Sequence, residues 1–210
     1  MEEKMRTINW YFDFLSPFAY LQLKQLNSIP NDVSISYKPI LFPGLLQHHE
    51  TKGPVQIPRK RVYTYRYCIW LARQLEVPFN MPPNHPFPPL APLRLAIGLN
   101  NDGDAIETIF DHIWRDGHDV GNPDAWAHLM DKLGVENAHS LIGDQKVKDQ
   151  LKENTEHAIK LGLFGVPSAL IDDQLFWGQD STSMLLAYLD DPQMFKDTEM
   201  TRVEDLPSGI

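Results

Sequence analysis

A serine lies at the start of a predicted helix and directly after a predicted strand, in the segment DFLSPFAYL of residues 13–21. The free N–H groups and the dipole at a helix start stabilise negative charge, which activates a reactive group placed there. Ser16 is also a preferred N-cap residue, and Pro17 suits the first helical position because that position has no N–H partner to lose. Ser16 could therefore serve as a helix cap, as a catalytic group, or as both.

The elements around Ser16 form a predicted β-α-β unit. Aromatic and branched residues predict a strand at 7–14, a helix follows at 17–28, and alternating apolar and polar residues predict a strand at 33–37. A unit of this kind implies a right-handed crossover between two parallel strands.

The other end of the chain carries a predicted β-β-α unit. Gly165-Val166-Pro167 precedes an apolar strand at 168–171, and Asp172-Asp173 predicts a hairpin turn into a second strand at 175–177. A closing helix is predicted at 182–189.

Between these units the chain is predicted to be mostly helical. A proline-dense stretch at 78–92 is incompatible with a regular helix or a central strand. On either side of it, helical periodicity predicts helices near residues 63–71, 93–99, 106–113, 123–133 and 144–161.

The two end units each have too few strands for a stable sheet, so they must share one. The order of elements therefore predicts an α/β protein with a thioredoxin-like fold interrupted by a large helical insertion. Residues 1–45 and 162–190 would form a discontinuous thioredoxin-like domain, and 46–161 the helical insertion domain. Residues 191–210 would be an acidic C-terminal extension.

Charge and composition exclude several classes of function. The net charge of -9 argues against nucleic acid as a partner. No apolar run approaches the roughly 20 residues that a membrane span needs, and the first residues lack a secretory signal pattern. One cysteine, Cys68, allows no internal disulfide, which fits a reducing compartment. We therefore expect a cytoplasmic protein without a membrane segment.

Ser16 occupies the position where thioredoxin-like redox proteins carry their first reactive cysteine. A hydroxyl cannot exchange disulfides, which argues against a disulfide oxidoreductase, but it can donate a hydrogen bond to an external thiolate, for which glutathione is the obvious source. The Val166–Pro167 bond is predicted to be the cis peptide bond that faces this turn, because only X-Pro bonds become cis at low cost. A trans proline in a plain turn is the alternative.

The segments FDFLSPFAYL, GPVQIPRKRVYTYR and LFGVPSALIDDQLFWGQD, in this order, resemble those of 2-hydroxychromene-2-carboxylate isomerases. Together with kappa-class glutathione transferases, these enzymes belong to the DsbA-like thioredoxin superfamily. The resemblance covers residues 7–190 and implies a DsbA-like fold and glutathione as the cofactor.

The resemblance also implies roles for individual residues. Ser16 would hydrogen-bond the glutathione sulfur, and Lys60 would reach the glycyl end. The backbone of Val166 would pair with the cysteinyl part, and Gln179 and Asp180 would hold the γ-glutamyl group. From the residues alone, Lys60 could instead be a solvated cation and Asp180 a plain acid at a helix start.

Thr51 and Pro167 complete the expected glutathione site. Related proteins commonly have asparagine at the position of Thr51 and arginine at that of Ser181. The shorter Thr51 side chain implies that glutathione is held somewhat differently here.

Other polar residues give weaker indications. His48-His49-Glu50 lacks a third partner for a metal ion, so no metal site is expected. His85, in the proline-dense stretch, and Arg94 could line the mouth of a substrate site. Arg94 could pair with a substrate carboxylate, although a structural ion pair is the alternative.

Tyr63, Tyr67 and Trp70 fall on one face of a predicted helix. We interpret them as core or subunit contacts rather than as a wall of a substrate site. The resemblance implies a homodimer.

The leading hypothesis is a glutathione-dependent isomerase acting on aromatic or chromene carboxylates, by thiolate addition, bond rotation and elimination. The first alternative is a kappa-like glutathione transferase that conjugates electrophiles. The second is a non-catalytic thioredoxin-like module that binds a partner.

Overall fold

The strands come from both ends of the chain and form one mixed sheet. The computed structural model describes residues 5–207, and its sheet has the strand order β2-β1-β3-β4. The strands are β1 (Arg6–Phe12), β2 (Val33–Pro39), β3 (Ser168–Ile171) and β4 (Gln174–Trp177). β1 pairs with β2 in parallel, whereas β1 with β3 and β3 with β4 are antiparallel. The predicted sharing of one sheet by the two end units is confirmed.

Helices surround this sheet. They are α1 (Pro17–Leu23), α2 (Phe42–His48), α3 (Pro58–Gln74), α4 (Leu90–Gly98), α5 (Gly103–Phe110), α6 (Pro123–Leu133), α7 (Ala138–Gly143), α8 (Gln145–Lys160), α9 (Thr182–Asp190) and α10 (Thr198–Arg202). Between residues 5 and 207, no helix combines the length and the apolar character that crossing a bilayer requires.

Two element boundaries near Ser16 differ from the prediction. The first strand ends at Phe12, because Asp13 turns the chain: its carboxylate accepts the N–H of Leu15 at 3.0 Å, and its carbonyl accepts the N–H of Ser16 at 3.0 Å. The helix predicted at 17–28 ends at Leu23, and the chain tightens into a 3-10 turn at Leu26–Ser28.

The helical middle differs from the prediction in three places. α2 and α7 carry no periodic pattern long enough to predict them, since they span only seven and six residues. α4 begins at Leu90, inside the proline-dense stretch, because Pro92 lies in its first turn, where a proline removes no helical hydrogen bond.

One hydrophobic core joins the sheet to the helical middle. Phe110 of α5 packs against Phe12 and Phe14 with ring centroids 5.6 and 4.5 Å apart. α8 also meets the sheet, because Asn154 Nδ2 donates to the carbonyl of Pro39, the last residue of β2, at 3.1 Å. The two-domain division at 45/46 and 161/162 stays a prediction.

The acidic tail is described as far as residue 207, and its first part packs against the core. The ring of Phe195 lies 5.4 Å from that of Tyr188 and 5.9 Å from that of Phe176, in the core. The predicted extension also includes residues 208–210, which lie outside the described residues.

A buried amide fixes α1 to the turn that follows β4. Gln22 is fully buried; its Oε1 accepts the indole N–H of Trp10 at 2.7 Å, and its Nε2 donates to the carbonyl of Gly178 at 2.9 Å. The N–H of Gly178 in turn donates to the carbonyl of Pro167 at 2.9 Å. Gln22 thereby holds the loop before β3 in place relative to the start of α1.

We predict that Gln22→Leu destabilises the fold markedly, because it leaves the Trp10 N–H and the Gly178 carbonyl without their partner. A stranded buried polar group costs about 1–3 kcal/mol. Urea unfolding monitored by fluorescence measures the loss. Gln150→Leu, an exposed glutamine on α8, is the matched control and should change stability little. Equal stability of the two variants would contradict the role given to Gln22.

Candidate active site

Ser16 caps α1 and keeps its hydroxyl proton available. It is 7% exposed, and its Oγ accepts the N–H of Ala19 at 3.2 Å. The same hydroxyl donates to the carbonyl of Val166 at 3.4 Å, which is long for such a bond and therefore weak. Since a hydroxyl accepts and donates at once, capping and donation to a ligand do not compete.

The loop that carries Val166 faces Ser16 at the end of the sheet where β1 ends and β3 begins. β1 and β3 are paired with Tyr11 opposite Ser168, which brings the residues following β1 close to those preceding β3. The Val166–Pro167 peptide bond is cis, as predicted. The two segments meet although Ser16 and Val166 are 150 residues apart.

A buried acid lies beneath this turn. Asp13 is fully buried, and its two carboxylate oxygens accept the N–H groups of Leu15 at 3.0 Å and Phe42 at 2.9 Å. Burial raises the pKa of Asp13 to about 7, although these two backbone hydrogen bonds oppose the rise. Sequence reasoning missed Asp13; its signal was an acid placed directly after an apolar strand.

A large cleft opens beside Ser16, with a volume of about 880 Å³. Its walls are mostly aromatic and apolar, with few polar groups, which is typical of a small-molecule site. The aromatic side chains that line it are Phe18, Phe42, Tyr63, Tyr65, Tyr67, Phe164 and Trp177.

Two of these aromatic residues form a wall that the sequence did not predict. The rings of Phe164 and Trp177 meet edge to face at 4.9 Å, and both side chains are about half exposed. The indole of Trp177 lies so close to Gly165 that a Cβ there would collide with it. Gly165 is therefore needed for the close contact between the loop before β3 and this wall.

The aromatic residues of α3 are not in the core. Tyr63 is 68% exposed and Trp70 is 52% exposed, so neither lies in the core, and the other half of the expectation, a subunit contact, stays a prediction. The rings of Tyr63 and Tyr67 stack at 6.2 Å, and both residues line the cleft. Helical spacing identified a common face but could not show that this face is left uncovered by the rest of the chain.

Two lysines contribute positive charge to the lining of the cleft. Lys60, near the start of α3, and Thr51 both line it, as the predicted glutathione site requires. Lys52 lines it as well, and sequence reasoning gave this residue no role. The two ammonium groups could hold a carboxylate in the cleft.

His85 lines the cleft, but both of its ring nitrogens are hydrogen-bonded. Nε2 donates to the carbonyl of Leu15 at 2.8 Å, and Nδ1 then accepts the hydroxyl of Tyr65, also at 2.8 Å. Burial lowers the pKa of His85, although the bond to Leu15 opposes this. A neutral His85 therefore braces the turn before Ser16 against α3.

Four predicted site residues are not among those that line the cleft, and the first of them, Pro167, is buried in the loop before β3. Gln179 is 7% exposed, and its Nε2 donates to Oε1 of Gln25 at 2.8 Å. Asp180 is exposed, in the short 3-10 turn after β4. Arg94 lies in α4, half-buried.

The two histidines considered for metal binding, His48 and His49, lie in different environments. His49 lines the cleft, and its Nε2 lies 2.9 Å from the carbonyl of Leu163. His48 is exposed, and the two rings meet edge to face at 4.9 Å.

Comparison with known proteins agrees with this architecture. The family model of the DSBA-like thioredoxin domain matches residues 7–190. The chain belongs to this family. The resemblance stated above and the DsbA-like thioredoxin fold are thereby confirmed.

Relatives of this DSBA-like protein carry two kinds of enzyme name. Glutathione S-transferase kappa 1 of Homo sapiens is 27% identical over 90% of this chain and 93% of its own length. The 2-hydroxychromene-2-carboxylate isomerase of Sphingobium xenophagum is 28% identical over 88% and 98%. The protein is thus related to isomerases and to glutathione transferases.

A solved structure of a 2-hydroxychromene-2-carboxylate isomerase superposes on the DSBA-like chain with a TM-score of 0.77. The superposition covers 92% of this chain and 98% of that one, at 22% identity. At this identity the likeness shows the shared fold alone.

The buried Asp13 predicts a pH dependence of stability. The folded protein keeps the proton on Asp13 up to about pH 7, whereas the unfolded chain loses it near pH 3.9. The folded state therefore binds more protons in this window, and the stability that Asp13 contributes falls as the pH rises.

We predict that the stability of the natural protein relative to Asp13→Asn decreases from about pH 5 to about pH 8, by at most about 1.4 kcal/mol per pH unit. Urea unfolding of both proteins across this range measures the difference. Gln150→Leu on α8, which removes no ionisable group, is the control and should give a flat difference. A flat difference for Asp13→Asn as well would show that the folded-state pKa is ordinary.

Proposed function

We propose that the protein binds glutathione in the cleft beside Ser16 and uses its thiolate to isomerise an aromatic or chromene carboxylate. The observation that carries this proposal is the weak hydrogen bond of the Ser16 hydroxyl to the Val166 carbonyl, at 3.4 Å, at the wall of the cleft. Both groups are placed to exchange this bond for bonds to a thiol peptide.

The exchange keeps every hydrogen-bonding group satisfied. The Ser16 hydroxyl rotates its proton from the Val166 carbonyl to the glutathione sulfur while it continues to cap α1. The Val166 carbonyl then accepts the N–H of the cysteinyl residue. Hydrogen bonds to a charged group are stronger than those to a neutral one, so the exchange favours the thiolate over the thiol.

The charges at the cleft suggest how glutathione lies. Lys60 and Lys52 would hold the glycyl carboxylate, with Thr51 as a neutral hydrogen-bonding partner. The γ-glutamyl end would lie towards Gln179 and Asp180, where the exposed carboxylate of Asp180 can pair with the ammonium group. The side-chain amide of Gln179 would have to leave Gln25 to take part.

The aromatic walls suit a flat substrate. The cleft lining, which includes Tyr63 and Tyr67 of α3 and the pair Phe164 and Trp177, offers ring faces and edges to an aromatic acid. The thiolate adds to the conjugated double bond of the ring-opened substrate, which becomes a single bond and rotates. Elimination of the thiolate restores the double bond, so glutathione is not consumed.

A glutathione transferase is the second candidate, because the relatives named kappa-class transferases are as similar to this chain as the named isomerases. The same thiolate would then attack an electrophile and stay bonded to the product. Counting free glutathione during turnover distinguishes the two: isomerisation leaves its concentration unchanged, and conjugation lowers it. Absence of glutathione binding would favour a non-catalytic module.

We predict that Ser16→Ala slows glutathione-dependent turnover by about one to two orders of magnitude. The variant loses a hydrogen bond to a charged sulfur, worth about 1.5–3 kcal/mol. Its fold should lose only about 0.5–2 kcal/mol, the value of one helix cap. Steady-state kinetics on 2-hydroxychromene-2-carboxylate, combined with urea unfolding, measure both effects.

Asn122→Ala is the matched control for this experiment. Asn122 caps α6 by accepting the N–H groups of Asp124 and Ala125, and it does not line the cleft. This variant should lose similar stability with no loss of turnover per folded molecule. Equal turnover in Ser16→Ala and Asn122→Ala would mean that Ser16 is only a cap.

We predict that Lys60→Ala weakens glutathione binding by up to about fivefold, the value of one exposed ion pair. The effect should shrink as the salt concentration rises, because salt screens exposed charges. Isothermal titration with glutathione at low and high salt measures it. Arg59→Ala removes a neighbouring exposed cation that does not line the cleft, and should bind normally. The same loss in both variants would point to a general charge effect and not to a contact of Lys60.

A further inference from the structure

Three histidine rings lie together on the side of α6. His112 belongs to a π-helical turn, Asp111–Arg115, that continues α5; His118 lies in the loop that follows, and His128 on α6. The ring centroids of His112 and His118 are 4.4 Å apart, and that of His128 lies 6.2 and 6.0 Å from them. None of the three lines the cleft beside Ser16.

The buried member of this cluster has no partner for its polar atoms. His112 is fully buried, and neither ring nitrogen has a hydrogen-bond partner among the described residues. A stranded buried polar group is costly, so its retention calls for a specific explanation. Burial, reinforced by the neighbouring His118, lowers the pKa of His112 to about 4. An imidazole nitrogen without a hydrogen-bond partner can serve as a metal ligand.

The backbone is shaped to bring His118 over His112. A π-helical turn inserts an extra residue and is frequent at functional sites. The chain then reverses at Gly117, whose φ of +72° suits glycine, and the N–H of His118 returns to the carbonyl of His112 at 3.1 Å.

A carboxylate completes the set of donors. One donor atom each from His112, Asp116 and His118 lie within 4.8 Å of one another. The Asp116 carboxylate is 24% exposed and also bonds to Arg115 at 2.8 Å and Lys132 at 3.1 Å. These two cations hold the pKa of Asp116 well below its usual range, so it is a permanent anion.

We propose that His112, His118, His128 and Asp116 form a binding site for a divalent transition metal of the zinc type. Imidazole and carboxylate are the donors that zinc accepts, at about 2.0–2.2 Å in a tetrahedral arrangement. With these bond lengths, ring centroids of imidazoles on one zinc lie roughly 5 Å apart. The observed separations fall on both sides of that value, so modest side-chain rotations would bring the rings onto one ion.

The charges around the cluster set a condition on binding. Arg115 and Lys132 repel a dication. The Asp116 carboxylate, which already pairs with both, would have to bind the metal beside them or give up these ion pairs. Binding therefore relies on the three imidazoles, and a metal that favours nitrogen ligands should bind better than Mg²⁺ or Ca²⁺, which favour oxygen.

The test is isothermal titration calorimetry, in which Zn²⁺ is titrated into the full chain after treatment with a chelator. We expect one zinc per chain, and at least about tenfold weaker binding in His118→Ala and in His128→Ala. Both residues are at least partly exposed, so the variants should fold. His139→Ala, an isolated exposed histidine on α7, is the matched control and should bind zinc like the natural protein. Mg²⁺ should give no signal at the same concentrations.

Two outcomes would overturn the proposal. One is an absence of zinc binding by the natural protein. The other is zinc binding that is unchanged in both His118→Ala and His128→Ala, which would show that the ion binds elsewhere on the chain. Changes in the NMR chemical shifts of the His112 and His118 imidazoles on addition of zinc would support the site independently of any activity.

Discussion

The antiparallel pairing of β1 with β3 is the constraint on which the rest of the structure depends. It joins the two ends of the chain in one sheet and brings the turn after β1 against the loop before β3. Ser16 and Val166 thereby come within hydrogen-bond distance across 150 residues of sequence. A hydrogen bond from Gln22 to Gly178 links this junction of the two loops to the turn after β4. His85 hydrogen-bonds to Leu15 in the turn after β1, and Asp13 accepts the N–H of Phe42. The large aromatic cleft opens where these parts meet.

The geometry of this junction explains how one serine can serve two purposes. The lone pairs of its hydroxyl satisfy the start of α1, and its proton is left in a weak bond to the Val166 carbonyl. A cysteine at this position would bring its own thiol to the helix start. A serine instead leaves room and a donor for a thiolate supplied by a ligand, which is the physical basis of the proposed glutathione chemistry.

Local patterns allowed much of this to be predicted from sequence. Ser16 with Pro17 predicts the start of α1, and Asn122 with Pro123 predicts the start of α6. The alternation at residues 33–37 predicts β2. These signals can be found in the sequence because caps and side-chain periodicity are local properties. The exposure of Tyr63 and the burial of Gln179 could not be predicted, since both depend on which distant segments cover them. The cluster of His112, His118 and His128 was missed for the same reason: no regular spacing relates these residues until a π-helical turn and Gly117 fold them together.

The central claim is that the junction stabilises the thiolate of bound glutathione, and a pH titration of its ultraviolet absorbance tests this most directly. With the protein in excess, the bound sulfur should titrate well below the value of about 8.5 that is usual for a free thiol. In Ser16→Ala the midpoint should move back towards that value. A bound thiol that titrates like free glutathione in the natural protein would contradict the account.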